Sequence, residues 1–362
     1  MQGKGRIGEI AYKANYLNKG GEALKSIRVE EAVGTMLAHD LTKIVPGEFK
    51  GAAFKKGHVI RPEDIDELKR MGKNNIYVLE LKPDDIHEDD AAERIAAAAA
   101  GDGISLTSPS EGKISFKAAV RGLLKINLEA LETINDIDMV IISTLHNNTV
   151  VNAGKNVAAT RIIPLCTDKK NIEAVEDICH RLGKVVWLKE LASLKAGIIV
   201  TGTEVYEGKI KDKFGPVLAQ KLTDYGCTLT ELAYAPDNKE RIKAAIEAEI
   251  KGGAQIILVS GGMSVDADDV TPSAIREVAD RIVTYGSPVL PGAMFMLGYR
   301  NDIPILGIPA CGMYHKITVF DLVFPRILAG EVLTRKDIAK MGHGGLCQNC
   351  ESCRYPNCTF GR

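Results

Sequence analysis

Apolar positions along this chain follow two rhythms, short glycine-bounded runs and longer stretches in which they recur every three or four residues, the marks of strands and helices. The alternation is most regular from residue 195 onward. Residues 197–201, 229–235, 255–259 and 303–308 read as strands. Between them, residues 214–225 place Leu218, Leu222 and Tyr225 on one helical face, and residues 238–251 place Ile242, Ala245, Ile246 and Ile250 on another. Thr271-Pro272 opens a further helix with the apolar stripe Ile275, Val278, Ala279 and Ile282. Residues 315–328 read as a last helix, interrupted by Pro325. Strands alternating with helices of this length predict βαβ units and an α/β fold with a mostly parallel, doubly wound sheet.

The N-terminal half is patterned more weakly. Residues 1–25, rich in Gly and Lys, read as a loose arm. Residues 26–81 read as a small α/β unit. A turn at residues 54–60 leads into a short strand, Pro62 opens a helix carrying Ile65, Leu68 and Met71, Gly72 stops it, and residues 76–79 form a strand. Residues 82–103 contain an alanine run with high helix propensity and little to bury, which predicts a helical connector, with a core helix as the other reading. Residues 104–194 form a middle region, α/β or β-rich, with strands at 139–142 and 161–165 and a helix at 171–183. His146-Asn147-Asn148 there reads as an ordinary polar loop. The expected organisation is therefore an arm (1–25), a small α/β region with its connector (26–103), a middle region (104–194), a main α/β domain (195–335) and a Cys-rich tail (336–362).

Composition narrows the function classes. A hydrophobic fraction of 45% and a charged fraction of 26% are ordinary for a globular protein, and a net charge of −1 argues against nucleic acid or an anionic membrane as partner. No apolar stretch reaches the ~18–20 residues that span a bilayer. The first residues lack the apolar core of a secretory signal, so the cytoplasm is the expected compartment. Cys166, Cys179, Cys227 and Cys311 are scattered, whereas Cys347, Cys350, Cys353 and Cys358 are crowded together. Four thiols at that spacing predict a metal site, for which an iron–sulfur cluster and tetrahedral Zn²⁺ are both suitable occupants. With little core in the segment, a metal is expected to order it.

In doubly wound sheets ligands bind beyond the carboxyl ends of the strands, and the distinctive polar residues fall there. After the first strand come Thr201, Gly202 and Glu204, and after the second comes Asp237. After the third come Ser260, Gly261, Gly262 and Ser264, then Asp266, Asp268 and Asp269, and after the fourth come Pro309 and Gly312. Gly261 and Gly262 leave backbone amides open to an anion. The helix beginning at Thr271 adds free amides and a positive dipole end. The clustered acids are suited to a hard cation such as Mg²⁺. Cys311 reads as a buried, inert thiol, with a soft ligand to metal as the alternative.

These residues carry a family resemblance. Val200-Thr-Gly-Thr-Glu204, Ala235-Pro-Asp-Asn238, Val259-Ser-Gly-Gly-Met-Ser-Val265 and Asp268-Asp-Val-Thr-Pro272 resemble the fingerprint of the molybdopterin-binding domain of molybdopterin adenylyltransferases and molybdenumtransferases. The resemblance covers about residues 195–330, and residues 26–81 are more distantly similar to the part preceding that domain in the molybdenumtransferases. It implies that Thr201, Gly202, Glu204, Asp212, Ser260, Gly261, Gly262 and Ser264 contact molybdopterin. Asp266, Asp268, Thr271, Pro291, Gly292, Pro309 and Gly312 complete the expected binding set, and the resemblance implies Asp237 and Asp269 as catalytic acids. It further implies a role in molybdenum cofactor biosynthesis, a transferase assisted by Mg²⁺, a homodimer and a molybdoenzyme as recipient. Two motifs depart from the family: Pro291-Gly292-Ala293-Met294 stands for Pro-Gly-Lys-Pro, and Ile308-Pro-Ala-Cys-Gly312 for Leu-Pro-Gly-Asn-Pro. The Met-Asp-Gly segment of the family is also missing. Two activities stay open: insertion of molybdenum into adenylylated molybdopterin, or a non-catalytic carrier or sensor of the cofactor.

Overall fold

Asp168, Asn238 and Thr318 each fold a side-chain oxygen back onto the first amides of a helix, and these caps set where the helices begin. The computed structural model describes residues 24–45, 49–79, 83–163, 165–266 and 268–361, so the expected N-terminal arm falls almost wholly outside the described residues. The chain divides into two compact units. One takes the described residues up to Val120 together with Lys125–Leu145 and Asn152–Leu188; the other takes Arg121–Leu124, His146–Val151 and Lys189–Arg362.

In the first unit, Leu24–Arg28 pairs antiparallel with Asn75–Leu79, and Leu41–Val45 with Phe49–Phe54. The helix Asp64–Arg70 contributes Leu68 to a core with Val29, Leu37, Ile60, Ile76 and Val78. The same unit holds a four-stranded antiparallel sheet in the order Ile104–Leu106, Ile114–Ala118, Asn156–Ile162, Val140–Thr144. The alanine run lies in the helix Glu88–Ala99, where Ala91, Ala92, Ile95, Ala96 and Ala99 are fully buried. Small side chains let this helix approach Lys169–Leu182 and Asn156–Ile162 closely, so the run supplies core. The strand expected at 161–165 is divided: one strand ends at Ile162, and Cys166–Asp168 pairs separately with Asp85–His87.

The second unit contains β1 (Lys195–Thr201), α1 (Thr203–Tyr206), α2 (Phe214–Asp224), β2 (Thr228–Ala235), α3 (Lys239–Lys251), β3 (Ile256–Ser260) and α4 (Thr271–Val278). It continues through β4 (Arg281–Tyr285), β5 (Met296–Arg300), β6 (Ile303–Ile308), α5 (Val319–Leu328) and α6 (Arg335–Lys340). The sheet order is β2-β1-β3-β6-β5-β4. The first four strands are parallel, and β5 and β4 extend the sheet antiparallel. The mostly parallel sheet is thus as expected, but β4 and β5 correct the reading of residues 271–282 as one helix. α4 ends at Val278, and Ile282 turns inward from β4 instead, against the bare Cα of Gly298. The last helix likewise starts later than expected, at Val319, where Thr318 and Asp321 form a reciprocal capping box.

Both sheet faces are covered. Phe214, Leu218, Phe320 and Phe324 belong to one core, and Ile242, Ile246, Ala274 and Ile275 to the other. Within the first, Lys221 Nζ lies 2.6 Å from the buried Asp321 carboxylate. Beyond α6 the tail docks by protein contacts of its own. Phe360 is 3% exposed within the first core, the Gly361 amide donates to Gly344 O at 2.9 Å, and the Cys347 amide to Leu290 O at 2.8 Å. This corrects the expectation that a metal alone would order the segment.

Candidate functional site

Strand register builds the site. Thr201 stands beside Ala235, Val200 beside Ser260, and Ser260 beside Ile308, so four parallel strands release their polar loops at one edge. At that edge Gly261 lies so close to Thr201 that a side chain would collide with the Thr201 carbonyl. Gly262 has φ 54°, and a Cβ there would stand 2.9 Å from Thr271 Oγ1 and 3.6 Å from both Asp269 Oδ1 and Thr201 Oγ1. The Thr201 and Thr271 hydroxyls are 3.2 Å apart. Thr201, Gly261, Gly262, Asp269 and Thr271 are therefore brought together. Their chemistry is that of an anion cradle: bare amides, two hydroxyls and a helix start.

Two supports of this loop carry no signal in the strand-end pattern. The Tyr285 hydroxyl at the end of β4 donates to Met263 O at 3.0 Å and to Ser264 O at 3.1 Å, with the Arg276 guanidinium 5.3 Å from its ring. Met263 packs its thioether where a side chain on Gly307 of β6 would be.

The acidic residues differ in how they are used. Asp237 Oδ2 accepts from the Thr203 amide at 2.8 Å and from the Thr203 hydroxyl at 3.1 Å, tying the end of β2 to the start of α1 beside Gly202. Glu204 is exposed in α1. Asp212 caps α2, accepting from the amides of Phe214 at 2.7 Å and Gly215 at 3.1 Å. Asp269 Oδ2 accepts weakly from the Asp266 amide at 3.3 Å, while the Asp269 and Val270 amides donate to the carbonyls of Asp266 and Asp268. Ser264, Asp266 and Asp268 are exposed.

Other expected residues are engaged elsewhere. The Ser260 side chain is fully buried, with an Oγ lacking a hydrogen-bond partner among the described residues. Gly292 packs against Val319, whose amide donates to Pro291 O at 3.2 Å. Gly312, following Pro309, packs on the Phe214 ring that begins α2. Burial pushes the Cys311 thiol above its ordinary value, which favours the inert reading of that residue.

Cys347, Cys350, Cys353 and Cys358, none of them in a disulfide, line a single cavity of about 760 Å³ with Tyr314 and His315. Among the described residues, no three His, Cys, Asp or Glu side chains stand together closely enough to hold a metal ion. No helix of the described residues is long and apolar enough to cross a membrane.

Residues 197–330 match the family model described as "Probable molybdopterin binding domain", and residues 26–80 match a domain of unknown function. A CinA-like protein of Mycobacterium leprae is 34% identical over 91 residues, 25% of this chain and 21% of that protein. A CinA-like protein of Mycobacterium sp. (strain JLS) is 36% identical over 89 residues, with the same shares of 25% and 21%. The match thus spans about a fifth of these curated relatives (21% of each). Among solved structures, the molybdopterin biosynthesis enzyme MoaB of Thermus thermophilus is 23% identical, with TM-score 0.32, covering 38% of this chain and 98% of that one. A molybdopterin biosynthesis protein of Mycobacterium abscessus is 16% identical, with TM-score 0.32 and coverage of 38% and 98%.

Proposed function

We propose, from the premise that residues 197–330 are a domain of the molybdopterin-binding family, that the protein binds phosphorylated molybdopterin at the strand-end rim and inserts molybdenum into its adenylylated form. The observation that carries the reading is the meeting of Thr201, Gly261, Gly262, Asp269 and Thr271 at one edge. Bare amides and the start of α4 hold the phosphate, and the mutually bonded Thr201–Thr271 hydroxyl pair leaves one proton to donate to its oxygens. Water cleaves the phosphoanhydride, releasing AMP and molybdopterin phosphate, and the two dithiolene sulfurs then replace one oxygen of molybdate, which leaves as water with their two protons, at unchanged oxidation state. Asp269, whose Oδ1 faces Gly262, is the acid that orients the attacking water, whereas Asp237 positions the turn at Thr203. Mg²⁺, when bound, would neutralise charge on the phosphates, and Asp269 with the exposed Asp266 and Asp268 would supply oxygens to it alongside those of the phosphate.

A carrier or sensor role is the second reading. It is favoured by Ala293 and Cys311 at the two departures from the family motifs and by the engagement of Asp237 with Thr203. Incubation with adenylylated molybdopterin, Mg²⁺ and molybdate separates the two. AMP release supports insertion, tight binding without AMP release supports the carrier, and no affinity for molybdopterin overturns both.

For the tail we propose an iron–sulfur cluster or Zn²⁺ on Cys347, Cys350, Cys353 and Cys358, supported by their spacing and requiring the four thiols to draw together from the cavity they line. Elemental analysis and an absorption spectrum of anaerobically purified protein identify the occupant; fully reduced thiols that take up neither metal refute it. The resemblance also motivates a homodimer serving a molybdoenzyme, which light scattering and co-purification test.

A further inference from the structure

A cavity of about 600 Å³ is lined wholly by residues of the first unit. One wall is Glu88, the first residue of the helix Glu88–Ala99, with only 4% of its surface exposed. Glu88, Asp89 and Asp90 all occupy that helix's first turn, so its dipole end is already matched by fixed carboxylates and creates no demand for a free anion. Asp89 is committed, accepting from Lys56 Nζ at 2.8 Å and from the Gly112 amide at 3.0 Å. Glu88 is held more loosely. The nearest cation, the Arg161 guanidinium, reaches it only at 3.8 Å, beyond hydrogen-bond range.

A tight turn fixes this carboxyl in place. Ser110 and Lys113 exchange amide hydrogen bonds at 3.0 and 3.1 Å, while Glu111 and Gly112 adopt φ 51° and 70°. Any side chain on Gly112 would collide with the Glu88 carboxylate. Only 4% of Glu88 is exposed, so its carboxyl meets solvent at the cavity wall alone, and a donor held there by a ligand would pair with it at a largely desolvated position. Burial, with Asp89 and Glu111 nearby, pushes the Glu88 carboxyl above the ordinary carboxylate range against the pull of Arg161 and Lys56.

The remaining walls are aromatic, apolar and cationic. His39 Nδ1 is buried without a hydrogen-bond partner among the described residues, and burial holds the ring's pKa down, which favours the uncharged imidazole. The His39 and Tyr77 rings lie 6.2 Å apart at 52°, and Pro109 and Leu165 add apolar surface. Lys55 is exposed, and the Arg161 side chain is 42% exposed, so both cations reach solvent.

We propose that this cavity is a second ligand site, for a flat nitrogen heterocycle whose N–H edge donates to Glu88 and whose anionic substituent meets the exposed Lys55. An aminopyrimidinone carrying a phosphate is the class that fits. Its adjacent N–H donors match the two oxygens of a carboxylate, its ring suits the apolar walls, and a cavity of this size encloses a fused bicycle. Guanine nucleotides and phosphorylated pterins share this chemistry. The site stands apart from the molybdopterin reading, which concerns Thr201 and Gly262.

Calorimetric titration of the full chain with GMP, with 6-hydroxymethylpterin phosphate and with ribose 5-phosphate tests it. Binding of GMP, of the pterin phosphate or of both, with ribose 5-phosphate at least about tenfold weaker, supports the site and identifies its source of ligand. Glu88→Gln is expected to weaken the heterocycle by about ten- to a hundredfold, the loss of a charge-assisted pair of hydrogen bonds. Lys55→Glu, at an exposed position, weakens it by about fivefold or more and serves as the test should Glu88→Gln not fold. No binding of either heterocycle, equal binding of ribose 5-phosphate, or binding lost in Gly262→Val yet kept in Glu88→Gln overturns the proposal.

Discussion

The hydroxyls of Thr201 and Thr271 lie 3.2 Å apart across seventy residues of sequence, one at the end of β1 and the other at the start of α4. Gly262 fits between them because it has no side chain. Substitution there combines two penalties. The left-handed backbone at φ 54° costs a β-carbon about 1–2 kcal/mol, and that carbon would stand 2.9 Å from Thr271 Oγ1. Gly262→Val is expected to abolish molybdopterin binding while the thermal midpoint falls only by several degrees; Gly262→Ala should keep a weakened affinity. Calorimetric titration and a melting curve of each variant check both statements, and unchanged affinity in the valine variant would remove the phosphate cradle from the model of function.

Asp237 and Asp269 were paired as catalytic acids by resemblance, yet their surroundings predict different phenotypes. Asp237 accepts two hydrogen bonds from Thr203, and Asp237→Ala leaves that amide unmatched, a cost of about 1–2 kcal/mol in stability. Asp269 makes one long contact, from the Asp266 amide at 3.3 Å, so Asp269→Asn should leave stability within about 0.5 kcal/mol of the parent. Any AMP release should then fall by about a hundredfold in Asp269→Asn, the range expected when a general base is lost. Denaturant titrations beside turnover assays distinguish the two; full activity in Asp269→Asn would exclude its catalytic role.

Tyr285 spans two consecutive loop carbonyls, those of Met263 and Ser264, at 3.0 and 3.1 Å. Tyr285→Phe keeps the ring under Arg276 and removes only the donor. The expected cost is about 1 kcal/mol of stability, with weaker ligand affinity because the glycine loop is less firmly held. A variant that binds as tightly as the parent would show that the loop is pre-organised without this clamp.

The parallel core and its rim were legible because their signals are local. A buried parallel strand is an apolar run, and the residue that leaves it is a glycine or a hydroxyl, as at Thr201-Gly202 and Ser260-Gly261. The edge strands β4 and β5 were not, because Ile282 satisfies a helical stripe and a strand face equally well, and only pairing with β5 decides. The alanine run was ambiguous for a related reason. Alanine favours a helix but does not reveal whether a neighbour packs against it, and here Lys169–Leu182 does. Tertiary support of the site, such as Met263 beneath Gly307, leaves no periodic trace at all.

Glu88 makes stability depend on pH in the direction opposite to that of a salt-bridged acid. Its folded-state pKa is raised above the ordinary value by burial first and Asp89 next, with Arg161 and Lys56 opposing and Glu111 reinforcing. Between the ordinary and the raised value the folded chain therefore binds more protons than the unfolded chain, and stability falls as pH rises through that window. Below the window both states are protonated and the penalty vanishes; above it both are ionised and the penalty is complete. Glu88→Gln removes the ionisation while nearly preserving shape, so the variant should melt higher than the parent at neutral pH, with the advantage shrinking towards acid pH. Paired denaturation curves across that range measure the difference. An advantage that grows instead on acidification would mean that Arg161 holds Glu88 as a stabilised carboxylate despite its 3.8 Å separation, and the direction assigned to its pKa would be wrong.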